Sequence, residues 1–211
     1  MKIKYAIFDL DGTLIDSMEF WGKLGNEILA YYEIVPPENL SEILMPMNTQ
    51  QMAEYLKEKF SLPLSVQEII WFVHKKVEEK YKHEIPLKPN VREFLEKLKS
   101  DKVKMGIATA NDYSTTRDVL LRLGIGNHFD FILTCSDVGY SKESPQIYYA
   151  AAEKLGCHPK EAVVFEDCLT CIKTAKNAGF CVVGVADKYS VQNKGEIQTV
   201  CDYYINSYAE I

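Results

Sequence analysis

The sequence predicts an α/β protein: a parallel sheet core covered by helices, with a small α-helical domain inserted into its first crossover. Three observations carry this expectation. Short apolar runs alternate with amphipathic stretches from residue 103 onward. Glycine follows three of those stretches, at Gly124, Gly156 and Gly179, where a helix needs a left-handed C-terminal residue. Between about Asp16 and Lys99 nothing reads as a strand, and apolar residues recur only at helical spacing.

Taken in order, Ile3 to Phe8 is a short apolar strand that ends abruptly at Asp9-Leu10-Asp11-Gly12-Thr13. Helical faces follow in Phe20, Leu24, Ile28 and Tyr31, then Met52, Tyr55, Leu56 and Phe60, then Ile69, Ile70, Val73, Val77 and Tyr81. Ser65 with Glu68 reads as a capping box for the last of these. Pro36, Pro37, Pro46 and Pro63 fall between helices, and Pro86 and Pro89 punctuate the exit. The alternation then runs strand Val103 to Ala108, helix Tyr113 to Leu123, strand Phe131 to Thr134, helix Pro145 to Leu155 and strand Ala162 to Phe165. Helix Leu169 to Ala178, strand Cys181 to Val185 and an edge strand Tyr203 to Ile205 complete it. Nearly continuous apolar strands joined by helices of this length imply βαβ crossovers, and so a Rossmann-like parallel sheet. The expected division is a core of residues 1–16 and 86–211 and a helical domain of residues 17–85.

The chain has 211 residues and a formal charge of −6, with 47% hydrophobic and 26% charged residues, which excludes disordered and collagen-like classes. An acidic chain with no basic cluster lacks the footprint of a nucleic-acid binder. The longest uncharged apolar stretch, Phe180 to Ala186, is far short of a membrane span, and the apolar run at the start stops at Asp9. A cytoplasmic monomer with six reduced cysteines is the expectation.

In an open parallel sheet, ligands bind beyond the carboxyl ends of the strands. After the first strand come Asp9, Asp11, Gly12 and Thr13; after the second, Thr109, Ala110 and Asn111; after the third, a loop with Lys142; after the fourth, Glu166 and Asp167. Four carboxylates at one edge repel one another unless a cation neutralises them, and oxygen ligands without His or Cys point to a hard ion such as Mg²⁺. With a lysine and a hydroxyl beside that ion, the site suits a phosphoryl group, and one Asp is available to attack phosphorus. Gly12 permits a tight turn that aims loop amides at the phosphate.

Asp9-Leu10-Asp11-Gly12-Thr13-Leu14, Thr109 after Ile107-Ala108, Lys142 with Pro145, and Phe165-Glu166-Asp167 ahead of Ala178-Gly179 resemble the four motifs of the haloacid dehalogenase superfamily. The likeness is to its helical-cap phosphatases and β-phosphoglucomutases, and it covers nearly the whole chain. The resemblance implies Asp9 as nucleophile and metal ligand, and Asp11 as general acid and then base. It implies Thr109 and the Ala110 amide on the phosphate, Lys142 balancing charge, and Mg²⁺ held by Asp9, Asp11 through its backbone carbonyl, Glu166 and Asp167. A small phosphorylated metabolite is the implied partner, with neither nucleic acid nor membrane. Two positions depart from the family pattern: Glu143 follows Lys142 where proline is common, and is expected to face solvent, and Cys171 replaces a glycine.

Each residue alone has a plainer reading: solvated turn acids for Asp9 and Asp11, helix N-terminal acids for Glu166 and Asp167, a surface lysine for Lys142, a polar strand end for Thr109. Their joint placement at four strand ends favours chemistry. Cys168-x-x-Cys171 opens a helix as redox motifs do, but the neighbouring acids are expected to raise both thiols. His74, His83, His128 and His158 show no ligand spacing, and Lys75 to Lys82 reads as a solvated helix face with a Glu78–Lys82 pair. Phe20, Trp21, Tyr31, Tyr32 and Trp71 are expected in the core of the helical domain, with Trp21 and the segment Met45 to Asn48 facing the acids across a seam that opens and closes. A phosphatase is the favoured function. A sugar-phosphate mutase of the same fold lacks a glycine-and-arginine signature in Leu44 to Thr49, and a non-catalytic regulatory module fits poorly with an intact set of acids.

Overall fold

The computed structural model describes residues 2–44 and 47–211. In chain order these form β1 (Tyr5–Phe8), the helices α1 (Met18–Tyr31), α2 (Leu40–Leu44), α3 (Thr49–Phe60), α4 (Val66–His83) and α5 (Val91–Ser100), then β2 (Lys104–Thr109), α6 (Tyr113–Arg122) and β3 (Phe131–Thr134). After these come α7 (Cys135–Val138), α8 (Gln146–Leu155), β4 (Ala162–Glu166), α9 (Leu169–Asn177), β5 (Cys181–Val185), α10 (Lys194–Val200) and β6 (Tyr203–Ile205). The chain divides into two compact units, Met1–Asp16 with Ile85–Ile211, and Ser17–Glu84.

The larger unit is a six-stranded sheet in the order β3-β2-β1-β4-β5-β6. Every pairing is parallel, as the connecting helices require. Ile7 pairs with Gly106 and Val164, and Phe8 with Ile107 and Phe165, so paired residues on neighbouring strands share a face. On one face Ile7, Ala108, Val164 and Val182 pack with Ile147, Tyr148 and Leu155 of α8, Ile172 of α9 and Ile197 of α10. On the other, Phe8 stacks on Phe165 with centroids 4.5 Å apart, Phe94 of α5 meets both rings edge-on, and Tyr208 tilts against Phe94 and Phe165. Phe131 lies over Gly106, where a Cβ would come within 2.2 Å of its ring. An alanine there cannot enter without displacing the aromatic.

In the smaller unit, α4 buries Ile69, Val73, Val77 and Tyr81 at every fourth position, and α1 buries Phe20, Leu24, Ile28 and Leu29. Ser65 and Glu68 close the expected capping box, the Glu68 amide donating to Ser65 Oγ at 3.2 Å and the Ser65 amide to the Glu68 carboxylate at 2.7 Å. Asn48 and Gln51 make a second on α3.

Some expectations are corrected. Tyr31 and Trp71 are exposed at 73% and 63%, not part of the core, because Trp71 sits on the side of α4 opposite the Ile69–Tyr81 line. Glu78 pairs with Lys75 rather than Lys82. The sequence reading gives no separate helix for α2, α5, α7 and α10: α2, α7 and α10, at four to seven residues, are too short for apolar periodicity to register, whereas α5 carries a clear face in Val91, Phe94, Leu95 and Leu98. β1 begins at Tyr5, two residues later than Ile3. Met45 and Pro46, in the segment expected to face the acids, lie outside the described residues. All six cysteines are free thiols, and among the described residues no helix is long and apolar enough to cross a membrane.

Candidate active site

The site is built at the carboxyl ends of β1 and β4. Asp9 is the first residue past β1, and its amide donates to the Phe165 carbonyl at 3.0 Å, extending the ladder by one step. Since Phe8 pairs with Phe165, Asp9 and Glu166 are lateral neighbours whose side chains leave the sheet on the same face. Asp167 follows at once. One carboxylate oxygen from each of Asp9, Glu166 and Asp167 lies within 4.8 Å of the other two, and all three residues are buried.

Lys142 reaches this group from the loop ahead of α8. The Thr134–Asp137 capping box starts α7, and Gly139 (φ +74°) ends it and turns the chain. The Lys142 ammonium donates to the Asp9 carboxylate and to Glu166 at 2.8 Å. Tyr148 of α8 donates to the same Glu166 oxygen at 3.2 Å, and Thr13 Oγ1 donates to Asp167 at 3.2 Å. Glu143 is exposed, as expected.

Asp11 differs from the expected four-carboxylate cluster. Its side chain is not in the group of three; it accepts a hydrogen bond from the Asn111 side-chain amide. The cause is the turn. Leu14 and Ile15 amides both donate to the Leu10 carbonyl, at 2.9 and 3.0 Å, and Gly12 takes φ +74°, so the chain has left the ladder before Asp11 and presents it toward the end of β2. There Thr109 is buried and its Oγ1 accepts the Asn111 amide at 3.1 Å, while Ala110 beside it is exposed.

Burial dominates the electrostatics. It raises Glu166 to about 8, with the Asp9 charge adding to the effect and Lys142 opposing it. Asp167 is raised well above the usual carboxylate range by burial and then by Glu166 and Asp9, with Lys88 opposing. Burial alone would lower Lys142, but Asp9 and Glu166 together lift it well above its ordinary value. The cluster therefore sets three buried carboxyl groups against one ammonium, an arrangement that favours a further cation among them. Three buried oxygen donors without nitrogen or sulfur fit a hard divalent ion.

Two further groups escaped the sequence reading. Tyr148 is one turn into an ordinary amphipathic helix, so nothing in the pattern distinguishes it from core. Lys88 sits between Leu87 and Pro89 in no motif, yet its ammonium donates to the Gly12 carbonyl, to the Ala186 carbonyl at 2.8 Å and to Asp187 at 2.8 Å. Cys168 is also corrected: its thiol is lowered to about 6, first by a hydrogen bond from Cys171 and then, against burial, by the Cys171 and Thr170 amides at the start of α9, while Cys171 is raised.

A family model described as haloacid dehalogenase-like hydrolase matches residues 6–185. The chain is similar to the phosphorylated carbohydrates phosphatase of Thermotoga maritima, 28% identical over 82% of this chain and 81% of that one. It is similar to pyrophosphatase PpaX of Bacillus velezensis, 31% identical over 88% and 84%. Among solved structures, CbbY from Rhodobacter sphaeroides in complex with phosphate superposes with a TM-score of 0.82 over 99% of this chain and 96% of that one; at 23% identity this speaks for the fold alone.

Proposed function

The chain belongs to the haloacid dehalogenase-like hydrolase family and is an enzyme of its phosphatase kind, and from that premise we propose that it hydrolyses a small phosphomonoester through an aspartyl-phosphate on Asp9. The observation that carries the reading is the buried placement of Asp9 beside Glu166 and Asp167 with Lys142 bonded to it.

Lys142 fixes one Asp9 oxygen through its ammonium and balances charge on the transferring group, while Tyr148 and Lys142 together hold Glu166. The free Asp9 oxygen attacks phosphorus, forming an O–P bond as the ester O–P bond breaks. Asp11, held by Asn111, gives its proton to the leaving alkoxide. Once the alcohol has gone, the Asp11 carboxylate takes a proton from water, which attacks phosphorus and releases Asp9. The Thr109 hydroxyl and Ala110 amide hold the phosphate oxygens. Asp9, Glu166 and Asp167 would hold Mg²⁺, which neutralises charge on the phosphoryl group when bound. A phosphorylated carbohydrate is the substrate class we favour, supported by the likeness to the phosphorylated carbohydrates phosphatase of Thermotoga maritima.

The test is phosphate release from a panel of phosphorylated metabolites with Mg²⁺, joined to intact-mass analysis of acid-quenched enzyme. Turnover with a phosphate-sized adduct on Asp9 is expected, and Asp9→Asn should reduce kcat by at least about 10⁴-fold with an unchanged unfolding transition. No release from any member, or full activity in Asp9→Asn, would reject the reading.

A further inference from the structure

We propose that Lys88 is a positioning residue for the catalytic loop Asp9–Thr13, an inference that rests on the phosphatase reading above. An ammonium has three N–H donors and no acceptor, and Lys88 uses all three: on the Gly12 carbonyl, on the Ala186 carbonyl and on Asp187 Oδ2. These acceptors belong to separate stretches of chain, the loop after β1 and the segment after β5. Lys88 therefore ties the nucleophile loop to the end of β5, two strands away across β4.

Both ends of the tie are rigid. Asp187 is buried, its second oxygen accepts the Tyr189 amide at 2.8 Å, and its carbonyl accepts from Ser190. The Ala186 amide is bonded to the Ile205 carbonyl at 2.9 Å, in line with the β5–β6 ladder. Lys88 is itself anchored, since its amide donates to the Leu14 carbonyl at 2.9 Å and Ile15 bridges Leu87 next to it. The loop has bonds of its own, the Gly12 amide on the Ile15 carbonyl at 3.0 Å among them, but it turns through a glycine at φ +74°, a residue with the widest backbone freedom, and the carbonyl of that glycine is the group Lys88 holds.

Gly12 lies between Asp11 and Thr13. Fixing its carbonyl fixes the plane of the Gly12–Thr13 peptide and so restrains ψ of Gly12 and φ of Thr13, two of the dihedrals through which the chain runs from Asp11 to Thr13. Thr13 in turn donates to Asp167, and its carbonyl accepts from Tyr208 at 3.3 Å. The single contact at Gly12 thus bears on the proposed acid–base residue and on a proposed metal ligand. Lys88 touches neither substrate nor reacting atoms and acts through backbone alone. A displacement of about 1 Å at reacting groups is enough to reduce turnover about 100-fold.

Lys88→Met alone would leave Asp187 buried without its partner, so the variant to make is Lys88→Met/Asp187→Asn, compared with Asp187→Asn. Steady-state kinetics are read with Mg²⁺ on the best substrate of the panel, and amide hydrogen exchange of residues 10–15 is read without substrate. We expect the double variant to lose about 100-fold in kcat with KM little changed, and its loop amides to exchange about tenfold faster than in Asp187→Asn. Lys88→Arg, which keeps charged donors, should recover part of the lost kcat. Unchanged loop exchange overturns the clamp whether or not the wild type is a phosphatase. Faster exchange with kcat equal to that of Asp187→Asn leaves a structural tie and overturns the positioning role. A wild type inactive on every ester defeats the phosphatase reading and the positioning role with it, and the exchange result then still decides whether Lys88 holds the loop. If the methionine variant does not unfold cooperatively, Lys88→Gln/Asp187→Asn is read by the same criteria.

Discussion

Removal of divalent cation should make the stability of this protein fall as pH rises. Glu166 titrates at about 8 in the folded chain against 4.5 when exposed. A raised acid means that the native state binds more protons than the unfolded state between those two values, so unfolding free energy declines across that window and levels off above it. At 1.36 kcal/mol for each tenfold change in proton affinity, Glu166 alone sets a ceiling of about 5 kcal/mol. That ceiling already includes the opposing Lys142 ammonium, and water entry takes up part of the rest, so a loss of about 2–3 kcal/mol is the working figure. For a chain of this size that is roughly 5–10 °C in Tm. A cation held by Asp9, Glu166 and Asp167 displaces the protons and should restore the loss, adding about 2.7 kcal/mol at 100 times its Kd. The assay is thermal unfolding by circular dichroism at about pH 5 and about pH 8, in chelator and in millimolar Mg²⁺. We expect the chelated protein to melt lower at the higher pH, and Mg²⁺ to raise Tm chiefly there. A chelated Tm that is flat over this range, with no response to Mg²⁺ at its upper end, would refute the argument that three buried acids share one counter-ion.

Lys142→Met leaves Asp9 and Glu166 facing each other without their ammonium, which should destabilise the metal-free protein by about 3–5 kcal/mol near neutral pH and less in acid, read by urea denaturation. Asp11→Asn keeps the contact with Asn111 within reach but removes the proton, so kcat should fall about 10²–10⁴-fold and the limb of the pH–rate profile assigned to Asp11 should vanish, while Mg²⁺ affinity is retained because its carboxylate is not among the clustered three. Gly106→Ala drives a methyl into the Phe131 ring and should destabilise the fold by about 1–3 kcal/mol, with kcat per folded molecule unaltered.

Much of the molecule was legible in the sequence because it depends on short-range signals. β3, β5 and β6 fall at the residues their apolar runs marked, and Gly124, Gly156 and Gly179 take positive φ after α6, α8 and α9. The placement of Asp9, Thr109, Glu166 and Asp167 at strand ends follows from where those runs stop. A parallel sheet then delivers its strand ends to one edge whatever the side chains are.

What tertiary structure alone decided is which way each side chain points and what it meets there. Asp9 and Asp11 are equivalent as letters, yet only Asp9 continues the ladder toward Glu166, because the bonds to the Leu10 carbonyl have turned the chain before Asp11. Lys88 and Lys142 are both isolated lysines in loops, and nothing local shows that each is held against a carboxylate from a distant part of the chain. Trp71 and Tyr81 share one helix and their spacing sets them on different sides of it; packing decided that the Tyr81 side is the buried one. Periodicity and turn chemistry are written into neighbouring residues; orientation, burial and the pKa values that follow from it arise only when segments a hundred residues apart exclude water from between them.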